Sequence, residues 1–327
     1  MAFEASRHFA IGVVIVNFRT PAMVEACVES LSPMLSAAGA GVVIVDNASL
    51  DGSFERLSKF CAAHSEGSRL KVVAAAQNGG FSAGNNIGSN SISASNIVFL
   101  NSDAIALPGA LDALVTATHQ RPDAGIFTPR IVSSNGEDEV SRFRNHSLLG
   151  EFLDGAQTGP ITKLFSRAET PIFPNDHASR PDWVSFAAVM IRREALDSAG
   201  PMDERFFLYF EDCDYCRRIT AKDYDIAFAP DAVFQHDPGG STQLNEKTSK
   251  GARLPAYYYQ SRSRYFRKYY GPFGPALANI AWVAGRSIAK IRGIFGRPAP
   301  KVCDKRGRDI WIGWRRNNHH GAKSGSR

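Results

Sequence analysis

Four apolar runs in the first half of the chain stop at polar residues that carry oxygens. Asn17 follows AIGVVIV, Asp46 and Asn47 follow GVVIV, Asn78 follows VVAAAQ, and Asn101 and Asp103 fall in FLNSDA. A carboxylate at the end of a buried strand is costly unless something pairs with it. Asn and Asp also favour turns and caps, so each alone reads equally well as a cap. All four together read as one site, because a core strand needs no carboxylate at its end. A second acidic group, EDCD, places Glu211, Asp212 and Asp214 at the start of a helical stretch, behind the aromatic run RFFLYF. A helix N-terminus favours negative charge and would explain them as capping. A carboxylate beside an apolar wall can instead be tuned as a general base. His236 ends another apolar run and precedes DPGGST. That position suits a metal or phosphate contact as well as an ordinary structural histidine. QNGGFSAGNNIG has glycines ahead of a helix start, where backbone N–H groups could face a phosphate or a sugar hydroxyl. It follows the third strand and is not GxGxxG, so its support for a dinucleotide site is weak. Cys213 and Cys216 cannot complete a zinc site alone and fit helix packing.

Strand ends come side by side in a parallel sheet, and the sequence alternates accordingly. Strands are expected at 9–17, 41–47, 70–76, 96–101 and 124–129, with helices at 20–39, 49–64, from 81 onward and at 107–120. Continuous apolar strands alternating with helices predict an α/β fold with a mostly parallel sheet covered on both faces. Such sheets bind ligands at the carboxyl ends of their strands. Residues 130–181, rich in Gly, Pro, Ser and charge, are expected to be long loops over one edge of the site. A strand and short helix over 183–200, a helix within 206–224 and a strand from 225 leading to a Gly-rich loop complete the pattern.

The 327 residues, 44% hydrophobic, suffice for one large domain or two smaller ones. No run of 18 apolar residues predicts an ordinary transmembrane helix. The opening MAFEASRHFA has no apolar signal core, so secretion is not expected. Five scattered cysteines fit a reducing compartment better than a disulfide framework. The net charge of +6 is unevenly placed. Residues 251–327 hold 17 Lys+Arg and 2 Asp+Glu, a net of +15, which leaves 21 basic and 30 acidic residues in 1–250, a net of −9. A basic tail points to an anionic partner: a lipid surface, a polyphosphate or a nucleic acid. Residues 256–297 mix aromatics, aliphatics and spaced Arg and Lys. Such a stretch can lie in a lipid headgroup region or pack on the domain with a solvated basic face. No recognised nucleic-acid motif accompanies it, and no nucleic-acid partner is expected. The expected organisation is a main domain over 1–250 (halves 9–129 and 130–250), a helical extension over 251–298, and a basic tail over 299–327 that is partly disordered.

Taken in order, VVIVNFRT, VVIVDNASLDGS, NGGFSAGNNIG, VFLNSDAIALPGAL, DWVSFAAVMIRREAL, MDERFFLYFEDCDYCRR and AVFQHDPGGST resemble the family 2 inverting glycosyltransferases with the GT-A fold, in particular the bacterial rhamnosyltransferase-like branch. The set spans roughly residues 10–245. The resemblance implies a GT-A-type, Rossmann-like sheet with a C-terminal helical basic extension, and it implies roles. Asn17, Asp46, Asn78, Gly80, Asn101 and Asp103 would bind the donor, with Asp46 on a pyrimidine base. Asp103 matches the last acid of a DxD motif and, with His236, would hold Mg²⁺ or Mn²⁺ at the donor diphosphate. The first acid of that motif is here Asn101, which supplies an oxygen without charge. Asp212 matches the catalytic base, with Glu211 and Asp214 in support, and Trp183 and Phe186 lie on the acceptor side. Relatives often carry Gly where this chain has Phe186. The implied reaction moves a sugar, with rhamnose from dTDP-rhamnose the leading donor, to a glycan or polyprenyl-linked glycan of envelope polysaccharide synthesis. The implied location is cytoplasmic and peripheral on the inner face of the plasma membrane, with an anionic membrane surface as partner. A sugar-phosphate nucleotidyltransferase is the alternative enzyme, but it should carry a Gly-rich loop with Arg and Lys after the first strand, where this chain has VNFRTPAM. A non-catalytic glycan- or membrane-binding protein is the third reading, and Asp103, Asp212 and His236 argue against it.

Overall fold

The computed structural model describes residues 7–176, 179–236, 251–296 and 298–314. The expected Gly-rich loop after His236 and the segment from 315 onward lie outside the described residues. The first half forms β1 (His8–Asn17), α1 (Pro21–Leu35), β2 (Ala40–Asp46), α2 (Ser53–Ala63), β3 (Leu70–Ala74), α3 (Gly80–Asn90), β4 (Ser93–Leu100), β5 (Ala104–Ala106), α4 (Ala110–Gln120) and β6 (Ala124–Val132). The second half forms β7 (Arg142–Phe143), α5 (Leu148–Ala156), α6 (Gly159–Leu164), β8 (Pro171–Ile172), β9 (Trp183–Val184), β10 (Ala188–Arg192), α7 (Arg193–Ala199), α8 (Glu211–Thr220) and β11 (Asp225–His236). Helices α9 (Ala256–Tyr270), α10 (Gly274–Ile294) and α11 (Arg306–Asp309) follow.

The eight-stranded sheet runs β3-β2-β1-β4-β10-β6-β11-β5. The first four strands in that order are parallel, as the apolar runs predict. β10 lies antiparallel between β4 and β6. Side chains alternate across the sheet. Val13, Ile15, Val42, Ile44, Val98 and Leu100 face α1, α2 and α4. Val14, Val43, Val45, Ile97 and Phe99 face a second core that includes Cys213 and Tyr215 of α8 and Tyr265 and Phe266 of α9. Thr20 precedes α1 but does not cap it with its side chain. Its hydroxyl donates instead to Asn17 Oδ1 at 3.3 Å.

Residues 130–181 are not the plain loops the composition predicts. They contain α5, α6 and a small sheet in the order β8-β7-β9. The reason is a distant partner. Glu151 of α5 is buried against Arg262 of α9, with Nε donating to Oε1 at 3.0 Å, and Arg262 Nη1 donates to Asn279 of α10 at 2.7 Å. Where α5 and α10 cross, Gly155 and Gly285 let the backbones touch. A Cβ on Gly155 would sit 2.3 Å from the Trp282 carbonyl oxygen, and one on Gly285 2.1 Å from that of Phe152. The basic tail therefore starts as two helices packed on the domain. Tyr265 and Phe266 are fully buried, and burial of each stabilises the fold by about 1.5–3 kcal/mol. No helix among the described residues is long and apolar enough to cross a membrane.

Candidate active site

A cleft of about 730 Å³ opens at the carboxyl ends of the parallel strands. Phe18, Thr20, Asn47, Asn78 and Gly80 line it from the first half of the chain, Asn101, Ser102 and His236 from its floor, and Glu211 and Asp212 from α8. Trp183, Phe186, His146, Tyr257 and Tyr258 form the aromatic wall.

The strand-end polar groups are wired together. Asn17 is fully buried and does not line the cleft. Its amide donates to Asp46 Oδ1 at 2.7 Å and to Ser49 Oγ at 3.1 Å. Asp46 is 5% exposed and also accepts from the Ser49 hydroxyl at 2.5 Å. Its Oδ2 takes only a long bond from the Ser49 N–H, at 3.3 Å, so it keeps capacity for one more donor. Asn78 Oδ1 accepts from Asn47 Nδ2 and from the Gly80 N–H, both at 3.0 Å. Gly80 has φ +83°, and a Cβ there would lie 2.0 Å from the Phe207 carbonyl oxygen. That carbonyl accepts from the Phe81 N–H at 2.8 Å, and Asn86 bonds both the N–H and the C=O of Met202. Helix α3 thus pins the segment that delivers Glu211 and Asp212.

At the floor, His236 Nε2 stands 3.3 Å from Asp103 Oδ1 and 3.5 Å from the Asn101 amide. Pairing of β5 with β11 brings Ala104 opposite His236 and so sets this contact. Asp103 reaches the cleft through His236 rather than lining it. No cluster of three or more His, Cys, Asp and Glu side chains that could hold a metal occurs among the described residues. The group offers one carboxylate and one imidazole with the Asn101 side chain beside them, which fits a Mg²⁺ or Mn²⁺ ion that takes its remaining ligands from phosphate and water.

Tyr209 and Phe210 approach α8 with φ of 69° and 68°. Left-handed backbone is costly for aromatic residues and is held by its surroundings. Here Phe210 packs on His146 and Tyr265, with ring centroids 4.7 and 5.7 Å apart. This turn aims the first residues of α8 into the cleft. Burial pushes Asp212 up to about 7, against the opposing pull of the Cys213 N–H that it accepts at 2.8 Å. Burial, then the neighbouring Asp212 charge, push Glu211 well above the carboxylate range. Glu211 Oε2 is buried with no hydrogen-bond partner among the described residues. Asp214 departs from the expectation of a supporting acid in the cleft. It is 1% exposed, does not line the cleft, and accepts from Tyr269 at 2.8 Å and Lys268 at 2.5 Å. It fastens α8 to α9. The thiols of Cys213 and Cys216 are buried, and burial raises both.

Trp183 and Phe186 line the cleft. Trp183 stacks on Phe143 at 4.2 Å and donates to the Arg144 carbonyl at 2.9 Å. Phe186 stacks on Phe99 at 5.8 Å. Ser49, His146, Tyr257 and Tyr258 had no role assigned from sequence pattern alone. Burial pushes His146 down to about 4, so it lines the cleft as a neutral ring. The triple tyrosine at 257–259 was a visible signal, since three adjacent aromatics cannot all be buried on one helix face.

A family model described as "Glycosyltransferase like family 2" matches residues 8–271 and so takes in α9. The N-acetylglucosaminyl-diphospho-decaprenol L-rhamnosyltransferase of Mycobacterium tuberculosis is 26% identical over 171 residues, 50% of this chain and 53% of that protein. The low-salt glycan biosynthesis hexosyltransferase Agl10 of Haloferax volcanii is 25% identical over 220 residues, 66% of this chain and 63% of that protein. The chain thus spans about half the length of the first and under two thirds of the second. Among solved structures, a mannosyltransferase from Pyrobaculum calidifontis in complex with GDP-Man and Mn²⁺ superposes at TM-score 0.56 with 15% identity, over 90% of this chain and 77% of that one.

Proposed function

The chain belongs to the glycosyltransferase-like family 2 and has the GT-A fold, and from that premise we propose that it is an inverting, metal-dependent transferase of a sugar from a nucleotide-sugar to a hydroxyl. One observation carries the reading: Asp212, lifted to about 7 by burial, shares a cleft with Asn101 and with His236, which pairs with Asp103 behind it. A base poised near neutrality suits removal of a proton from a hydroxyl. Asp212 takes the acceptor proton as the acceptor oxygen bonds the anomeric carbon. The bond from that carbon to the diphosphate oxygen breaks on the opposite face, and the diphosphate departs, so the anomeric centre inverts. Asp103 and His236, with the Asn101 oxygen, would hold Mg²⁺ or Mn²⁺, which when bound offsets charge on the leaving diphosphate. Asp46, which lies just behind the cleft lining, would accept a ring N–H of uracil or thymine through Oδ2, while Asn17 and Ser49 fix its orientation. Asn78 and Gly80 shape the loop along the nucleotide-sugar, and Trp183 and Phe186 the acceptor wall.

We take rhamnose from dTDP-rhamnose as the first donor to test, and a polyprenyl-linked glycan as the acceptor class, supported by the relative that acts on N-acetylglucosaminyl-diphospho-decaprenol. Work at the inner face of a bacterial plasma membrane, in envelope polysaccharide synthesis, follows from that acceptor and from the basic C-terminal part. The test is a thermal-shift screen of nucleotide-sugars with Mn²⁺ present. Stabilisation by a uracil- or thymine-linked donor, lost on chelation, is expected. No shift with any nucleotide-sugar, or an equal shift with guanine-linked donors, would sink this reading of the site.

A further inference from the structure

Helix α10 has one face that no other described part of the protein covers. Its inner face, with Ala278, Trp282, Gly285 and Ala289, is buried. The opposite face is apolar: Leu277, Ile280, Ile291 and Ile294 are 46%, 58%, 55% and 81% exposed, and Phe273 and Phe295 at its two ends are 70% and 81% exposed. A surface helix ordinarily turns charge outward. Over 274–289 the one ionisable side chain is Arg286, which is half-buried, and Lys290 follows on the same flank of the helix. An apolar face of this kind calls for a partner.

The packing says where that face lies. Gly274 abuts the Phe266 carbonyl, Asn279 bonds Arg262, and Trp282 shares a cluster with Tyr259. These pairings run in opposite directions along the chain, so α9 and α10 are antiparallel. The middle of the apolar face is therefore level with Tyr258 and Tyr259, and Tyr258 lines the cleft. The inner face of α10 is committed to α5 and α9, so the helix cannot leave them to enter a bilayer. The partner's charge is also indicated, because residues 251–327 carry 17 Lys+Arg against 2 Asp+Glu.

We propose that α10 lies along the surface of an anionic lipid bilayer, with its apolar face in the headgroup–acyl boundary, and holds the Tyr257–Tyr258 side of the cleft at the membrane. A helix lying flat gains from apolar burial and from attraction of its cations to anionic lipid. The contact itself does not depend on the transferase reading; its purpose, presenting the cleft to a lipid-linked acceptor, does.

The full chain is mixed with vesicles of phosphatidylglycerol and phosphatidylcholine, or phosphatidylcholine alone, and sedimented at low and high salt. Anionic vesicles should carry the chain down. Salt should weaken the binding without abolishing it, because the apolar part is not screened. Ile280→Glu with Ile291→Glu should lower partitioning by about tenfold or more, since two apolar side chains are lost to the boundary. Ile280→Ser with Ile291→Ser, which adds no charge, should lower it less. Thermal melts of each variant confirm folding, and donor hydrolysis without vesicles should equal that of the unaltered chain. A full chain that stays in the supernatant at low salt would overturn the proposal, as would a glutamate variant that sediments like the unaltered chain. A dimer that the glutamate variant converts to monomer, with no vesicle binding by either, would make this face a self-association surface instead. Vesicle binding with no hydrolysis or transfer from any nucleotide-sugar would remove the transferase reading and leave the membrane contact standing.

Discussion

Asp212→Asn should abolish most activity and raise stability, and the two effects have one cause. Asn keeps the size of the side chain and can still accept from the Cys213 N–H, so α8 keeps its start. It cannot take a proton, and loss of a general base costs about 10²–10⁴ in rate. The stability change follows from the shift. The folded carboxyl titrates at about 7 against 3.8 for the unconstrained group. Between these values the unfolded chain releases the proton and the folded chain keeps it. The folded state therefore loses stability as pH rises from about 4 to about 7, and stays lower above that. Roughly three pH units at about 1.4 kcal/mol each set a ceiling of about 4 kcal/mol. By exposed area the side chain is half-buried, so solvent screening reduces the ceiling, and about half of it, roughly 2 kcal/mol, is the expected gain in the variant above about pH 7. For a chain of 327 residues, with an unfolding entropy of about 2.1 cal/mol/K per residue, this is a rise of about 3 °C in Tm. Melts at a pH below 4 and at one above 7, with transfer rates at the second, make the assay. The gain should vanish at the lower pH. A variant that melts at the same or a lower temperature above neutrality would refute the burial argument, and one that keeps the full rate would refute the base.

Asp103→Ala should leave Tm without ligand nearly unchanged but abolish the extra stabilisation by nucleotide-sugar with Mn²⁺, and activity of the unaltered chain in chelator would count against the metal. Asp46→Ala leaves the buried Asn17 amide and Ser49 hydroxyl without their acceptor, so a loss of about 1–3 kcal/mol should accompany a higher donor KM, both read from melts and initial rates. Gly80→Ala puts a Cβ 2.0 Å from the Phe207 carbonyl oxygen. It should cost stability and activity together, and a variant with normal kinetics would show that α3 does not position α8. Glu151→Met strands the Arg262 charge, at a cost of about 3–5 kcal/mol, measurable by denaturant titration; Glu151→Met with Arg262→Met should recover part of it.

The alternation of strand and helix was legible because period and composition are local. β1 and β2 read as apolar runs closing on Asn17 and Asp46, and β3 and β4 as shorter apolar runs with Asn78 and Asn101 beyond their ends. The antiparallel β10 was legible as a strand but not in its place, since nothing in AVMIR names β4 and β6 as neighbours. α5 was hidden for a related reason. Its buried Glu151 looks like a surface residue until Arg262, 111 positions away, is brought beside it. The extension from 251 was legible as helical, yet a boundary at 250 separates Tyr257 and Tyr258 from the cleft they line and Tyr265 from the core it fills. Asp214 carried the same sequence signal as Asp212, and only the packing of Tyr269 and Lys268 distinguishes them.

The position of β10 also governs how the chain is made. Strands β3, β2, β1 and β4 can pair as soon as residue 100 is available, and β6 follows by residue 132. The strand that joins them ends at Arg192. At about 5–20 residues per second, ribosomal synthesis leaves the apolar edge of β4 unpaired for roughly 5–20 seconds. An open edge of Ile97, Val98, Phe99 and Leu100 is a template for wrong partners. The nascent chain thus passes through a stage in which four of its eight strands can pair and the edge that β10 will cover is open. Slow codons or a stalled ribosome between 132 and 192 would lengthen that stage, and a chaperone that shields a β-edge would act there rather than on the finished protein.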